Sequence, residues 1–255
     1  MRLSARRTMP LQSMPFLSVI IPAYNEENNI KGAIQDVLND VAVVVPDLEV
    51  IVVNDGSRDR TAELASEIAR RDGRVRVLTQ LNRGHGPALV HGLAEATGEW
   101  VFLIDSDRQV SLKNFALHWV MTADHDAILG LRRPRRDPLH RLLISFAMRV
   151  LLRARLGIHA GDAGAPYKLV KRQVWQDACK MMRDGCWIPS VLLAAHVLRR
   201  RDIVAREVPV EHRRRSHGPS TLNLGRLARF CREGAIDVAF YRACMCWPPH
   251  QTPPQ

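Results

Sequence analysis

Glu99–Gln109 reads EWVFLIDSDRQ, a short run of β-branched and aromatic residues that stops at Asp105-Ser106-Asp107. A continuous apolar run of this length, bounded by turn formers, is the pattern of a strand buried on both faces. Two carboxylates separated by one residue in the turn that follows can face a single hard cation. Gln109 can add an amide oxygen, since such ions favour oxygen ligands, and an Mg²⁺-like ion keeps positions for water or substrate phosphates.

The same pattern occurs upstream. Leu17–Pro22 (LSVIIP) runs into the polar cluster Ala23–Glu27, and Glu49–Val53 (EVIVV) stops at Asn54-Asp55-Gly56-Ser57. Arg74–Leu78 reads as a third strand and Asp126–Leu129 as a fifth, after the one ending at Ile104. Helical spacing fills the intervals at Asn28–Leu38, Thr61–Arg71 and Pro87–Ala96. Strands alternating with such helices predict an α/β domain with a largely parallel central sheet. Ligands of open α/β sheets bind outside the carboxyl ends of the strands, which is where the polar clusters fall. Asp55, next to Gly56, is equally an ordinary turn residue.

Beyond residue 130 the pattern changes. A basic loop at Arg132–Arg136 precedes a long amphipathic helix over Pro138–Leu156, then helices near 171–183 and 188–200, a short strand at Val204–Val210, a second basic loop at His212–Ser220 and a final helix from about Leu222 to Cys244. Charge follows this division. Residues 1–127 carry 13 Lys and Arg against 17 Asp and Glu, whereas residues 128–255 carry 24 against 9, so the net +11 of the 255-residue chain arises wholly in the second half. Of the 37 basic residues 32 are Arg, the side chain suited to bidentate phosphate contact, although a GC-rich genome gives the same bias.

No stretch approaches the ~18–20 apolar residues of a membrane span; Leu142–Ile158 is broken by Arg149, Arg153 and Arg155. The basic N-terminus lacks an apolar signal core, and five cysteines without zinc spacing (179, 186, 231, 244 and 246) argue against export, so a cytoplasmic protein is expected. The basic loops lack interleaved aromatics for stacking bases, so nucleic acid is not an expected partner. Arg149, Arg153 and Arg155 read as a solvated helix face; beside Leu143, Phe146, Val150 and Leu151 they could also rest on an anionic membrane surface as a peripheral contact.

SVIIPAYNEENNI (18–30), VVNDGSRDRT (52–61), NRGHGPALVHGLAEATGEW (82–100) and VFLIDSDRQ (101–109) stand in the order and spacing of family-2 glycosyltransferases. From about Leu17 to Leu222 the chain resembles their dolichol-phosphate mannosyltransferase, or polyprenyl-phosphate glycosyltransferase, branch. The resemblance implies a GT-A nucleotide-sugar fold with a nucleotide-sugar half at 16–129 and an acceptor half at 130–222; outside it, the sequence itself reads as a flexible basic tail at 1–15 and a C-terminal helix with a Pro-rich tail at 223–255. The resemblance places Pro22, Tyr24 and Glu26 beside the donor's base and ribose, Val53 and Asp55 on the base side, and Asp105, Asp107 and Gln109 around Mg²⁺ or Mn²⁺ bridging the diphosphate. Gly130-Leu131-Arg132 and Arg141-Leu-Leu-Ile-Ser145 match the family's Gly-Ser-Arg and Arg-x-x-x-Ser elements. Arg132, Arg141 and Ser145 are thereby implied as the acceptor-phosphate cradle, with Asp107, Arg132 and Arg141 as the catalytic set. Arg215 in the late basic loop is implied to close over the donor diphosphate.

Several positions depart from the family pattern. His85 stands for the usual Lys, Pro87 for a small residue, Ala165-Pro166-Tyr167 for Ser-Gly-Phe and Thr221 for a closing Lys. Cys186-Trp187-Ile188-Pro189-Ser190-Val191 lacks the carboxylate that relatives acting on hydroxyl groups use as a base. An anionic phosphate needs no base, only positioning and neutralisation. The expected activity is therefore metal-dependent, inverting transfer of a mannose- or glucose-type sugar from a GDP- or UDP-sugar to a polyprenyl phosphate. The alternative is a soluble small-molecule acceptor on the same fold.

Overall fold

The computed structural model describes residues 16–135, 137, 139–213 and 224–246. Strand β1 (Leu17–Ala23) is buried at every position, as its unbroken apolar run predicts. It lies between β2 (Leu48–Asn54) and β4 (Trp100–Ile104), parallel to both, and β3 (Val75–Thr79) pairs outside β2. With β5 (Ala127–Arg132), β6 (Tyr167–Lys171) and β7 (Ala205–Val210), the seven strands are ordered β3-β2-β1-β4-β6-β5-β7. Four of the six pairings are parallel; β6 runs antiparallel to both β4 and β5.

The reversed strand is the one β-strand of the described residues that the sequence reading missed. Tyr167–Lys171 (YKLVK) alternates, with Tyr167 and Leu169 in the core on one face of the sheet and Val170 in the core on the other. Lys168 shares the face of Val170 and is fully enclosed, an unusual occupant of a central strand that hides the strand from a search for apolar runs.

Helices cover both faces. α1 (Ile30–Asp36, extended by a π turn at Val37–Val41), α2 (Thr61–Ala69) and α4 (Phe115–Val120) pack on one face through Ile34, Leu64 and Phe115. α3 (His85–Ala94), α5 (Leu139–Leu156), α6 (Arg172–Cys179), α7 (Pro189–Arg199) and α8 (Leu224–Cys246) cover the other through Leu89, Leu152, Trp175, Leu192 and Val238. Strand order runs outward in opposite directions on the two sides of β1, so the carboxyl ends of β1 and β4 form a topological switch point, where open α/β sheets bind ligands.

Candidate active site

The loops leaving β1 and β2 are laced together. The backbone N–H of Asn25 donates to Ser57 Oγ (3.0 Å), that of Glu26 to Thr61 Oγ1 (2.8 Å) and that of Glu27 to Asp59 Oδ2 (3.1 Å), while the Arg58 N–H donates to Asn25 Oδ1 (2.9 Å). Asn25 holds a φ of 53°, a left-handed conformation that Asn tolerates better than most residues. Asp55 is buried and pins the next loop: Oδ1 accepts from Gln80 Nε2 (2.7 Å) and the Arg83 N–H (2.9 Å), and Oδ2 accepts from the Gly84 N–H (2.8 Å). These contacts shape a cleft of ≈ 730 Å³ whose walls include Pro22, Tyr24, Glu26, Asp55 and Asp105. Val53, expected beside the donor base, is not in that wall. Its side chain lies fully buried in the core because the strand alternation turns it toward α3, where it packs close to Gly92.

Asp105 and Asp107 stand where this cleft meets a second one of ≈ 270 Å³, and each lines both. Arg141 and Phe230 line both as well. The turn after β4 is tight, with the Gln109 N–H donating to Asp107 Oδ1 at 3.1 Å and Arg108 at a φ of 58°. Gln109 lines the second cleft; its Nε2 donates to the Arg213 carbonyl (3.3 Å) and its carbonyl accepts from the Arg213 N–H (2.7 Å), tying the turn to the segment after β7. His85 Nε2 lies 3.7 Å from Asp105 Oδ1. Among the described residues no three His, Cys, Asp or Glu side chains gather into a metal cage. Two carboxylates beside an open cleft can instead serve as donors to a hard cation that takes its other ligands from substrate phosphate and water.

The second cleft is walled by ion pairs. Arg132 Nε and Nη2 donate to Asp162 Oδ2 (2.7 Å) and Oδ1 (2.9 Å), and its Nη1 lies 3.5 Å from Asp137 Oδ2. Arg135 donates from Nη2 to Asp137 Oδ2 (2.9 Å) and to Ser145 Oγ (3.0 Å). Burial works against the charge of Asp162, but the fork from Arg132 outweighs it and holds the carboxyl below the usual carboxylate range. Beneath them the Lys168 ammonium donates to Ser190 Oγ (2.8 Å) and to the Ala165 carbonyl, and burial pushes its pKa down to about 8. Burial also lowers the pKa of His212, whose Nε2 is 3.9 Å from Asp137 Oδ1.

Arg132, Arg141 and Ser145, expected as one cradle, thus meet around one cleft. Arg132 and Ser145 are already engaged, with Asp162 and with Arg135. Arg135 and Asp137 belong to this site and were not singled out from the sequence, where the loop gave only a run of charge. Arg229 and Phe230 of α8 were also missed, though both line the larger cleft; Trp187 lines it too. Arg215, with the late loop around it, lies outside the described residues.

The chain is 29% identical over 220 residues to an undecaprenyl-phosphate 4-deoxy-4-formamido-L-arabinose transferase of Edwardsiella ictaluri, covering 85% of this chain and 66% of that protein. The enzyme of the same name from Pectobacterium atrosepticum is 29% identical over 207 residues, covering 80% and 62%. The chain therefore spans slightly less than two thirds of the length of these curated relatives. In fold it resembles glucosyl-3-phosphoglycerate synthase of Mycobacterium tuberculosis, solved with Mn²⁺, UDP and phosphoglyceric acid (TM-score 0.62, 22% identity, 89% of this chain and 78% of that one). It also resembles a mannosyltransferase of Pyrobaculum calidifontis solved with GDP-Man and Mn²⁺ (TM-score 0.60, 18% identity, 95% and 67%). Both neighbours share the GT-A architecture described above. Residues 18–173, from the first strand through the reversed strand β6, match Glycosyl transferase family 2, and the chain belongs to that family.

Proposed function

We propose that the chain transfers a sugar from a nucleotide diphosphate sugar to the phosphate of a polyprenyl lipid. The observation that carries this reading is the junction of two clefts at Asp105, Asp107 and Arg141, one bordered by the loops after β1 and β2 and the other by Arg132, Arg135 and Ser145. The names of the sequence relatives, which specify undecaprenyl phosphate, support the acceptor class. The neighbours bound to UDP or GDP-Man with Mn²⁺ support the donor class and a divalent ion.

Asp105 and Asp107, with Gln109 at the end of the turn, would hold Mg²⁺ or Mn²⁺. Such an ion, when bound, neutralises charge developing on the leaving diphosphate. Arg141 stands at the junction to bring an acceptor oxygen toward the anomeric carbon from the face opposite the diphosphate, which inverts the configuration. A phosphate oxygen carries its own negative charge, so positioning and neutralisation suffice. Asp137 and Asp162 line the acceptor cleft and are held by guanidinium groups, which suits them to orient Arg132 and Arg135.

Among the described residues no helix is long and apolar enough to cross a membrane. α5 exposes Leu143, Phe146 and Val150 beside Arg149, whose guanidinium lies 5.9 Å from the Phe146 ring centre, a surface that suits peripheral contact with an anionic bilayer. A soluble phosphorylated acceptor is the second reading, favoured by the phosphoglyceric acid bound to the structural neighbour. The test is a panel of UDP- and GDP-sugars with Mn²⁺ or Mg²⁺, offered undecaprenyl phosphate in anionic vesicles or phosphoglyceric acid in solution, with products read by mass. Glycosylated lipid phosphate supports the proposal; product only from the soluble acceptor supports the second reading, and no product from any pair rejects both.

A further inference from the structure

Arg229, Glu233, Asp237 and Tyr241 recur every four residues and share one side of α8. Asp237 is 1% exposed and caps the turn before α7, accepting from the backbone N–H groups of Trp187 (2.7 Å) and Ile188 (3.2 Å). Arg183 donates to Asp237 and, through Nη2, to Glu233 (2.8 Å), while Tyr241 Oη lies 2.9 Å from His196 Nδ1 on α7. From the other side the Cys186 and Trp187 carbonyls abut the first turn of α3 so closely that a Cβ at Gly86 would collide with them. Trp187 is therefore clamped between α3 and α8, and its side chain forms part of the donor-cleft wall. The Arg229 guanidinium carbon sits 4.8 Å from the centre of the Trp187 ring, and Arg229 lines the same cleft as Asp105 and Arg141.

A guanidinium stacked on an indole uses its flat face and keeps its N–H edge available for the paired oxygens of a phosphate. The amino end of α3, entered through Gly84 and His85, lines the same cleft, and backbone N–H groups there also favour an anion. We propose that Arg229, presented on Trp187, is a ligand for the diphosphate of the nucleotide donor, so that the C-terminal helix completes the donor site, with Asp237 as the positioning residue. This rests on the reading of the larger cleft as the donor site.

The test is calorimetric titration of UDP, UMP, GDP and GMP, each with Mn²⁺, into the full chain and its variants. Arg229→Gln, at an exposed position, is expected to weaken the diphosphate that binds by about tenfold, the size of one charge-assisted hydrogen bond, and its monophosphate by less than about threefold. Arg229→Lys recovers part of the loss, and Asp237→Asn repeats the diphosphate-selective pattern. Unchanged diphosphate affinity in Arg229→Gln, or equal losses for mono- and diphosphates, overturns the assignment. Failure of the unaltered chain to bind either diphosphate instead rejects the donor-cleft reading, and the role of Arg229 falls with it.

Discussion

In the loops after β1 and β2, charged and polar side chains are committed to the backbone: Asp55 receives two backbone N–H groups and one amide, and Asp59 and Asn25 each receive an N–H from the opposite loop. Around β5 and β6 they are committed to one another, with Arg132 and Arg135 shared between Asp137 and Asp162 and Lys168 enclosed beneath. The first arrangement fixes loop shape and leaves a cleft whose walls are set by the main chain. The second stores positive charge in a buried, balanced form beside a cleft that suits an anion. Both clefts open at the same end of the sheet and meet at Asp105 and Asp107.

Changes made at the junction and in each half test that contrast. Asp107→Asn should lower kcat on the order of 10³-fold with the melting temperature nearly unchanged, since it removes charge where both clefts meet; steady-state rates and a thermal melt check both halves of the expectation. Asp162→Asn should act on stability first, costing about 3–5 kcal/mol by removing the carboxylate on which the buried Arg132 guanidinium forks, as read from a urea titration. The sign of its pH dependence follows from the lowered carboxyl pKa. The stability contributed by Asp162 is complete above the ordinary value of 3.8 and is lost as pH falls through the lowered one, so the variant should lack that part of the acid-limb slope.

In the first half, Asp55→Asn should cost less, about 1–3 kcal/mol, because an amide can accept at only one of the two positions that now accept backbone N–H groups. Nucleotide affinity should fall with it, since the loop carrying Arg83 and Gly84 is released. A further effect concerns Lys168. With its pKa lowered to about 8 from 10.5, the folded chain sheds a proton that the unfolded chain retains across that interval, so this residue makes stability rise with pH there. Lys168→Met should flatten that rise, as measured by denaturant titrations at pH 8 and pH 10; an unchanged slope would assign the rise to other groups.

The same contrast explains what could be read from the sequence. β1, β2 and β4 are local apolar runs, and Asp105-Ser106-Asp107 at the end of β4 marks the site directly. β6 escaped because Lys168 interrupts its pattern, and that lysine is held by the Ala165 carbonyl and by Ser190, 22 residues away. Arg132 meets Asp162 across 30 positions and Asp237 reaches Trp187 across 50, so neither pairing leaves a local signal. At Val53 the motif is legible, whereas strand alternation sends its side chain into the core.

On the proposed function, the cleft lined by Arg132, Arg135 and Arg141 takes an acceptor for its phosphate. The most direct measurement is the transfer rate to undecaprenyl phosphate against the rate to undecaprenol, its uncharged alcohol, under the same donor and metal. The expected result is turnover of the phosphate and no detectable turnover of the alcohol; comparable rates for the two would rule out recognition of the acceptor through its phosphate.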